Sequence, residues 1–278
     1  MKTFKRLLKN FAFTSGLILT VALVVVALAA PLLAPYDPDV QDTARRLEPP
    51  SRQHLLGLDD LGRDVLSRVI WGSRVSLRVG FSVVIIASCI GIALGAISGY
   101  FGGAVDTIIM RITDILLAFP GILLAIALVA VLGPSENKVI LALSIIGWVG
   151  YARLVRGQVL KVREMEYVTA AKALGAKSPR VILHHVLPNV INPVIVMATL
   201  GLAGAILSEA ALSFLGLGVQ PPTPSWGSML TAGRRYLGIA NHLAIYPGIA
   251  IMAAVMGLNF LGDGLIDALD PKYRKEMS

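Results

Sequence analysis

A lone carboxylate, a pair of histidines and a small cluster of lysines are the side chains here whose type and spacing could do chemistry. Glu209 is the only acidic residue in the apolar run 190–219. A charge at mid-membrane costs about 2.5–3.5 kcal/mol on insertion scales, so such a group is expected to face a cavity or a partner. Glu209 and its neighbour Ser208 are therefore candidates for a pathway or a subunit interface. The plain alternative is a helix that ends near 208 and leaves Glu209 at the surface. His184 and His185 are adjacent, so on a helix they point to different faces and cannot pair on one metal. The single cysteine, Cys89, lies in an apolar run, which excludes an intrachain disulfide or a thiolate cluster. GAKS at 175–178 is the nearest echo of a phosphate-binding GxxxxGK[ST] and lacks the glycine before the lysine. FLGDG at 260–264 lacks the first glycine of a GxGD protease signature, and no second aspartate stands in the core of another apolar segment.

The lysines belong to EYVTAAKALGAKSPRVILHHVLPN at 166–189. From Met165 to Leu174 the residues are good helix formers, and Gly175 stands where a C′ glycine is expected. Ser178 offers an N-cap with Pro179 at the first helical position. The second helix is expected to run through VILHHVL until Pro188 discourages continuation. Ala170, Ala171 and Ala173 leave one surface shallow, and Lys172, Lys177 and Arg180 ring it with positive charge. The pattern suits a partner that approaches closely, and equally a solvated hairpin.

What must position these groups is hydrocarbon. Of the 278 residues 55% are hydrophobic and 15% charged, and the mean hydropathy is +0.73. Soluble domains hold about 45–50% apolar and about 25% charged residues, so this is an integral membrane protein. Apolar runs near the roughly 20 residues that span a bilayer occur at 16–34, 79–100, 115–133, 190–208 and 243–262. A shorter run, 139–152, lies between Lys138 and Arg153, whose side chains can snorkel. Backbone groups in lipid must be satisfied internally, which predicts an all-α bundle of six transmembrane helices. The basic start resembles a signal peptide, but the apolar run is too long for one and more spans follow. It reads as an uncleaved first helix.

The formal charge of +8 points to cytoplasmic loops rather than to nucleic acid. Lys2, Lys5, Arg6 and Lys9, the segment 153–189 and KYRK at 272–275 fall on one side if the N-terminus is cytoplasmic. We thus expect a cytoplasmic stretch 1–15, a first helix 16–34, an external loop 35–75, a core 76–268 and a cytoplasmic tail 269–278. Within the external loop and the span after it, Leu61, Val65, Val69 and Leu77 can share the buried face of an amphipathic helix, with Arg63, Asp64, Arg68 and Arg74 wet. The link 101–114 is expected inside. Pro120 and Pro247 are expected to kink their spans rather than end them. QPPTPSWG at 220–227 suits an external loop at headgroup level, with Trp226 in the aromatic belt.

The segment 166–189 resembles the cytoplasmic EAA loop of binding-protein-dependent ABC importer permeases. Ala170, Ala171, Gly175, Leu187 and Pro188 match that loop's alanine pair, glycine and Leu-Pro, while Thr169 stands where the family has glutamate. Within the loop Glu166, Lys172, Ala176 and Lys177 complete the expected docking surface. HLLGLDDLGRDVLSRVIWGSRVSLRVG at 54–80, SEAALSFLGLGVQPPTPSWGSML at 208–230 and LGDGLIDALDPKYR at 261–274 look like the second, C-type permease of peptide and nickel importers, a subfamily that includes glutathione importers.

The resemblance implies a type I importer permease fold in a bacterial inner membrane, with both termini cytoplasmic and the loop 153–189 coupling it to ATPases. It implies a homologous permease partner, two ATPase subunits or domains carrying ATP and Mg, an external solute-binding protein, surrounding lipid, and no cofactor on this chain. Di- or oligopeptides are the expected cargo, with nickel, glutathione or another small solute as alternatives. A proton-coupled carrier is a remote alternative, since it would need acidic groups in several spans or an inverted repeat.

Overall fold

Hydrocarbon surroundings leave the backbone only the helix as a self-satisfied conformation, and the chain follows that rule. The computed structural model describes residues 10–269; the basic start and KYRK lie outside the described residues. Among the described residues the only β pairing is the isolated bridge between Leu58 and Asp64. Five helices are long and apolar enough to cross a membrane, or six if one bent pair counts as a single span.

The first is α1 (Phe11–Leu28), opened by Asn10, whose side-chain oxygen accepts from the Phe13 N–H at 3.2 Å. A short α2 (Ala30–Leu33) follows, so the first span starts and stops several residues before the expected 16–34. Next comes α3 (Val65–Phe101), 37 residues opened by the Asp64 carboxylate, which accepts from the Ser67 N–H at 2.8 Å. At about 1.5 Å per residue it is about 55 Å long, well beyond a hydrocarbon core of about 30 Å. The expected boundary between loop and core at 75/76 therefore falls inside one unbroken helix.

The wet face expected of its start is a further correction. Arg63, Asp64 and Arg68 are buried, and Leu61 precedes the helix. The segment 35–64 folds over the helix start and supplies partners. Arg63 Nε donates to Asp59 Oδ2 at 2.7 Å, and Arg68 Nη1 to the Pro38 carbonyl at 2.8 Å. Only Arg74 of the four stays exposed.

Two left-handed glycines, Gly102 (φ 68°) and Gly103 (φ 56°), turn the chain straight into α4 (Gly103–Leu117), where a loop was expected. Then comes α5 (Gly121–Leu132), meeting α4 at 86°. Pro120 thus separates two helices rather than kinking one. It lacks an N–H, and it pushes the preceding residue out of the α region. By contrast α11 (His242–Leu269) continues through Pro247.

The short run at 139–152 is the middle of α6 (Glu136–Val162), 27 residues capped by Ser135. Arg153 continues the helix and meets Asp114 at 2.5 Å. The head of α6 lies beside the first half of α3, with Arg78 Nε 3.3 Å from Glu136 Oε1. Their far ends meet where Arg163 Nη1 donates to the Gly99 carbonyl at 2.8 Å. Because α3 and α6 run parallel, the chain between them must recross the bundle, and the bent pair α4–α5 is that crossing. Six crossings bring both ends of the described segment to one side, where Asn10 Nδ2 donates to Asp267 Oδ2 at 3.0 Å.

The most extensive helix contact is between α3 and α6. Gly91, Gly95 and Gly99 lie four residues apart on one face of α3. A Cβ on Gly91 would stand 2.4 Å from Tyr151 Cβ, one on Gly95 2.5 Å from the Ala152 carbonyl oxygen, and one on Gly99 2.9 Å from that of Arg156. Small residues of this kind let membrane helices touch backbone to backbone. Gly95→Ala should destabilise the detergent-solubilised protein by about 1–3 kcal/mol through overpacking. Gly157→Ala, where a Cβ meets nothing within 4 Å, should be neutral or stabilising by up to about 1 kcal/mol. Thermal unfolding of the two variants checks the contrast, and equal midpoints would contradict it.

Candidate functional site

At the end of the locked pair α3/α6, charged groups build a platform. Asp106 of α4 receives Arg156 Nε at 2.5 Å and Nη2 at 2.6 Å, and accepts the Ser98 hydroxyl as well. From Val162 the chain turns through Arg163 and Glu164 into α7 (Glu166–Ala173). Val168 is fully buried beneath α7, and the Lys172 ammonium lies 5.0 Å over the Tyr100 ring at the end of α3. Lys172 thus helps seat the helix on its own platform while its side chain stays exposed at the edge of α7.

The turn after α7 follows the sequence closely. Gly175 has φ 83°, its N–H donates to the Lys172 carbonyl, and the Ala176 N–H reaches back to the Ala171 carbonyl at 3.0 Å. This crossed pair is the glycine-terminated end that satisfies a helix's last carbonyls. Lys177, rather than Ser178, holds the N-cap position of α8 (Ser178–Val181), and it makes no side-chain cap bond. A five-residue π turn at Ile182–Val186 leads directly into α9 (Leu187–Phe214).

Pro188 therefore does not stop the helix. The wider π turn accommodates the missing N–H, with the Leu187 N–H donating to the Ile182 carbonyl, while Asn189 Nδ2 donates to the His185 carbonyl at 2.8 Å. The loop feeds α9 without a break. The expected loop 153–189 is really the last turns of α6, the short helices α7 and α8 with the Gly175 turn between them, the π turn, and the first residues of α9.

The surface that α7 offers is small and uncharged at its centre. Thr169, Ala170 and Ala173 are exposed, with Glu166 and Tyr167 at one end and Leu174, 89% exposed, at the other. Lys177, Arg180 and Pro188 are exposed, whereas Ala171, Ala176 and Leu187 are half-buried. The shallow face is thus Ala170 and Ala173, with Ala171 turned toward the Val168 side. Glu166 lies in the first turn of α7.

Glu209, expected at a pathway or a subunit interface, is enclosed by side chains of its own chain. It is fully buried within the chain, accepting from Ser213 Oγ at 2.7 Å and Ser76 Oγ at 3.2 Å, with the Ser225 hydroxyl close by. Ser225 opens α10 (Trp226–Gly233) through a reciprocal capping box with Ser228, and Trp226 Nε1 donates to the Val69 carbonyl at 3.0 Å. The carboxyl group therefore ties α3, α9 and the cap segment into one knot. Trp226 is buried in that knot rather than exposed in an aromatic belt. Ser208, on the neighbouring face, does line a cavity of 490 Å³ between α3, α5, α6 and α9, with Val84, Ile146, Tyr151, Met197 and Gly201.

The sequence reading missed the glycine ladder, although its four-residue spacing was visible in CIGIALGAISGY. It also missed Tyr100, Asp106 and Arg156, which carry no local signature because their partners lie far away in the chain.

Residues 91–275 match the family described as binding-protein-dependent transport system inner membrane component. Residues 2–50 match the N-terminal TM domain of oligopeptide transport permease C. The dipeptide transport system permease protein DppC of Alkalihalophilus pseudofirmus is 48% identical over 98% of this chain and 90% of its own. Its namesake from Haemophilus influenzae is 42% identical, covering 94% and 90%. The glutathione transport system permease protein GsiD of Pectobacterium atrosepticum is 42% identical, covering 97% and 90%.

Removing the knot's acceptor should be costly. Glu209→Ala would leave buried hydroxyls unpaired, at about 1–3 kcal/mol for each group stranded. Glu209→Gln keeps an acceptor and should retain most of the parent's thermal stability. A Gln variant as unstable as the Ala variant would contradict this role.

Proposed function

Because this chain belongs to the family of binding-protein-dependent transport system inner membrane components, as a multi-pass transport subunit, we propose that it forms half of an ATP-driven import pathway for di- or oligopeptides. The observation that carries this reading is α7, a short helix with a small exposed face, seated by Val168 and Lys172 on the locked pair and continuous with α9. A cytoplasmic ATPase groove that receives Thr169, Ala170, Ala173 and Leu174 would push on both the platform and a membrane-spanning helix. The reading places both termini and α7 in the cytoplasm of a bacterial inner membrane. Its partners are a homologous permease, two ATPase subunits or domains that bind the ATP and Mg, and an external solute-binding protein. This chain holds no cofactor of its own.

The peptide cargo rests on the similarity to the dipeptide permease proteins. Glutathione is the second reading, favoured by the similarity to the P. atrosepticum protein. Isolating the cognate binding protein and identifying what it retains decides between them, and a sugar would overturn both.

Three substitutions test the coupling role in vesicles holding the complete importer. Gly175→Val should leave the protein inserted, since a Cβ there meets nothing within 4 Å, while a β-branched residue at positive φ is strained by about 1 kcal/mol or more. ATPase stimulation by loaded binding protein should be lost. Ala170→Glu should weaken ATPase docking by adding bulk and a desolvated charge. Lys177→Ala should stay near the parent, because an exposed ion pair is worth about 0–1 kcal/mol. Three variants that all transport like the parent would refute the coupling role, and a cysteine at 177 that reacts only from outside would refute the orientation.

A further inference from the structure

At the end of the bundle away from α7, a groove of 680 Å³ runs between α1 and the first turns of α3. Trp71, Arg74, Val75 and Arg78 line it at spacings of three, one and three, so they form one stripe on α3. Below them the same face exposes Phe81 and Ile85, and α1 exposes Val21, Val25 and Leu28. The stripe passes from aromatic and basic to purely aliphatic, as a helix does where it crosses from headgroups into hydrocarbon.

The charges in the groove do not cancel. Arg78 is matched by Glu136, with Nε 3.3 Å from Oε1. The Arg74 guanidinium lies 5.1 Å over the Trp71 ring and has no acidic partner among the described residues. Stacking uses the face of the guanidinium and leaves its edge N–H groups free to donate. One net positive charge at the bilayer surface, with planar donors and an apolar track beneath, matches a singly charged phosphodiester carrying acyl chains.

We propose that this groove is a binding site for one membrane glycerophospholipid, its phosphodiester held by Arg74 and Arg78 and an acyl chain lying between Leu28 and Phe81. A free anion would make no use of the aliphatic walls. A peptide carboxylate would make no use of a track that opens on the outer faces of α1 and α3. The site is independent of what the chain transports.

Native mass spectrometry of the importer complex, purified in detergent and supplied with phosphatidylglycerol, tests the site. The parent should retain one phospholipid against dilution. Phosphatidylethanolamine should compete for it through the shared phosphodiester, while diacylglycerol and inorganic phosphate should not. Arg74→Gln should lower retention about tenfold, the factor for losing one charge-assisted hydrogen bond. Leu28→Trp, which fills the track from a residue 74% exposed, should lower it with both arginines intact, so a failure of the arginine variant to assemble leaves the test open to decision. Retention unchanged in both variants, displacement by inorganic phosphate, or cross-linking of a cysteine at 28 to another protein subunit would overturn the proposal.

Discussion

Backbone contact between α3 and α6 is the constraint on which the rest of the structure depends. In lipid no hydrophobic effect drives helices together, so close packing and polar contacts must do it. Gly91, Gly95 and Gly99 permit that closeness, and the facing surface of α6 supplies Tyr151, Ala152, Val155 and Val159, all buried. The ladder fixes the register of the two helices. That register brings Arg163 to the Gly99 carbonyl and Arg156 to the Asp106 carboxylate. Tyr100 then stands where Lys172 can rest on it. A half-turn slip would separate each of these pairs and leave α7 without a seat.

The opposite end is held by different chemistry. Glu209 gathers hydroxyls from α3 and α9 and from the cap before α10, and the segment before α3 gathers Arg63 and Arg68 among Asp59 and the Pro38 carbonyl. Breaking a buried pair by removing one partner is more damaging than its net contribution to stability, because the remaining group is left uncompensated. The bundle is therefore fastened by polar knots at both ends and by small residues between them. α9 connects the two ends: it begins in the π turn beside α7 and carries Glu209 near its far end. Displacement at α7 has a continuous helical route across the bilayer, consistent with rigid-body motions of packed elements.

Much of this was legible in the sequence because hydrocarbon restricts the choices. Apolar length found the spans, and glycine after a run of alanines found the Gly175 turn to the residue. Proline was read less well. Pro120 ends a helix, Pro188 sits inside a continuous one, and Pro247 is absorbed, because neighbouring backbone geometry decides the outcome. Charge was read least well. Arg63, Arg68 and Glu209 looked like groups for water, a pathway or a partner, yet each is satisfied inside the chain by residues 4 to 133 positions away. Local patterning cannot show a partner that only the tertiary fold brings near.

A spin-label distance most directly tests whether α7 is rigidly mounted on the α3/α6 pair. Labels at Tyr167→Cys and Ile97→Cys, in a Cys89→Ser background, would report the separation of α7 from α3 in the complete importer with and without ATP. A rigid mount predicts one narrow distribution that shifts by no more than about 2 Å, the scale of small helix adjustments. A second population displaced by about 5 Å, one helical turn, appearing on ATP binding would show that the loop swings independently of the helices said to carry it.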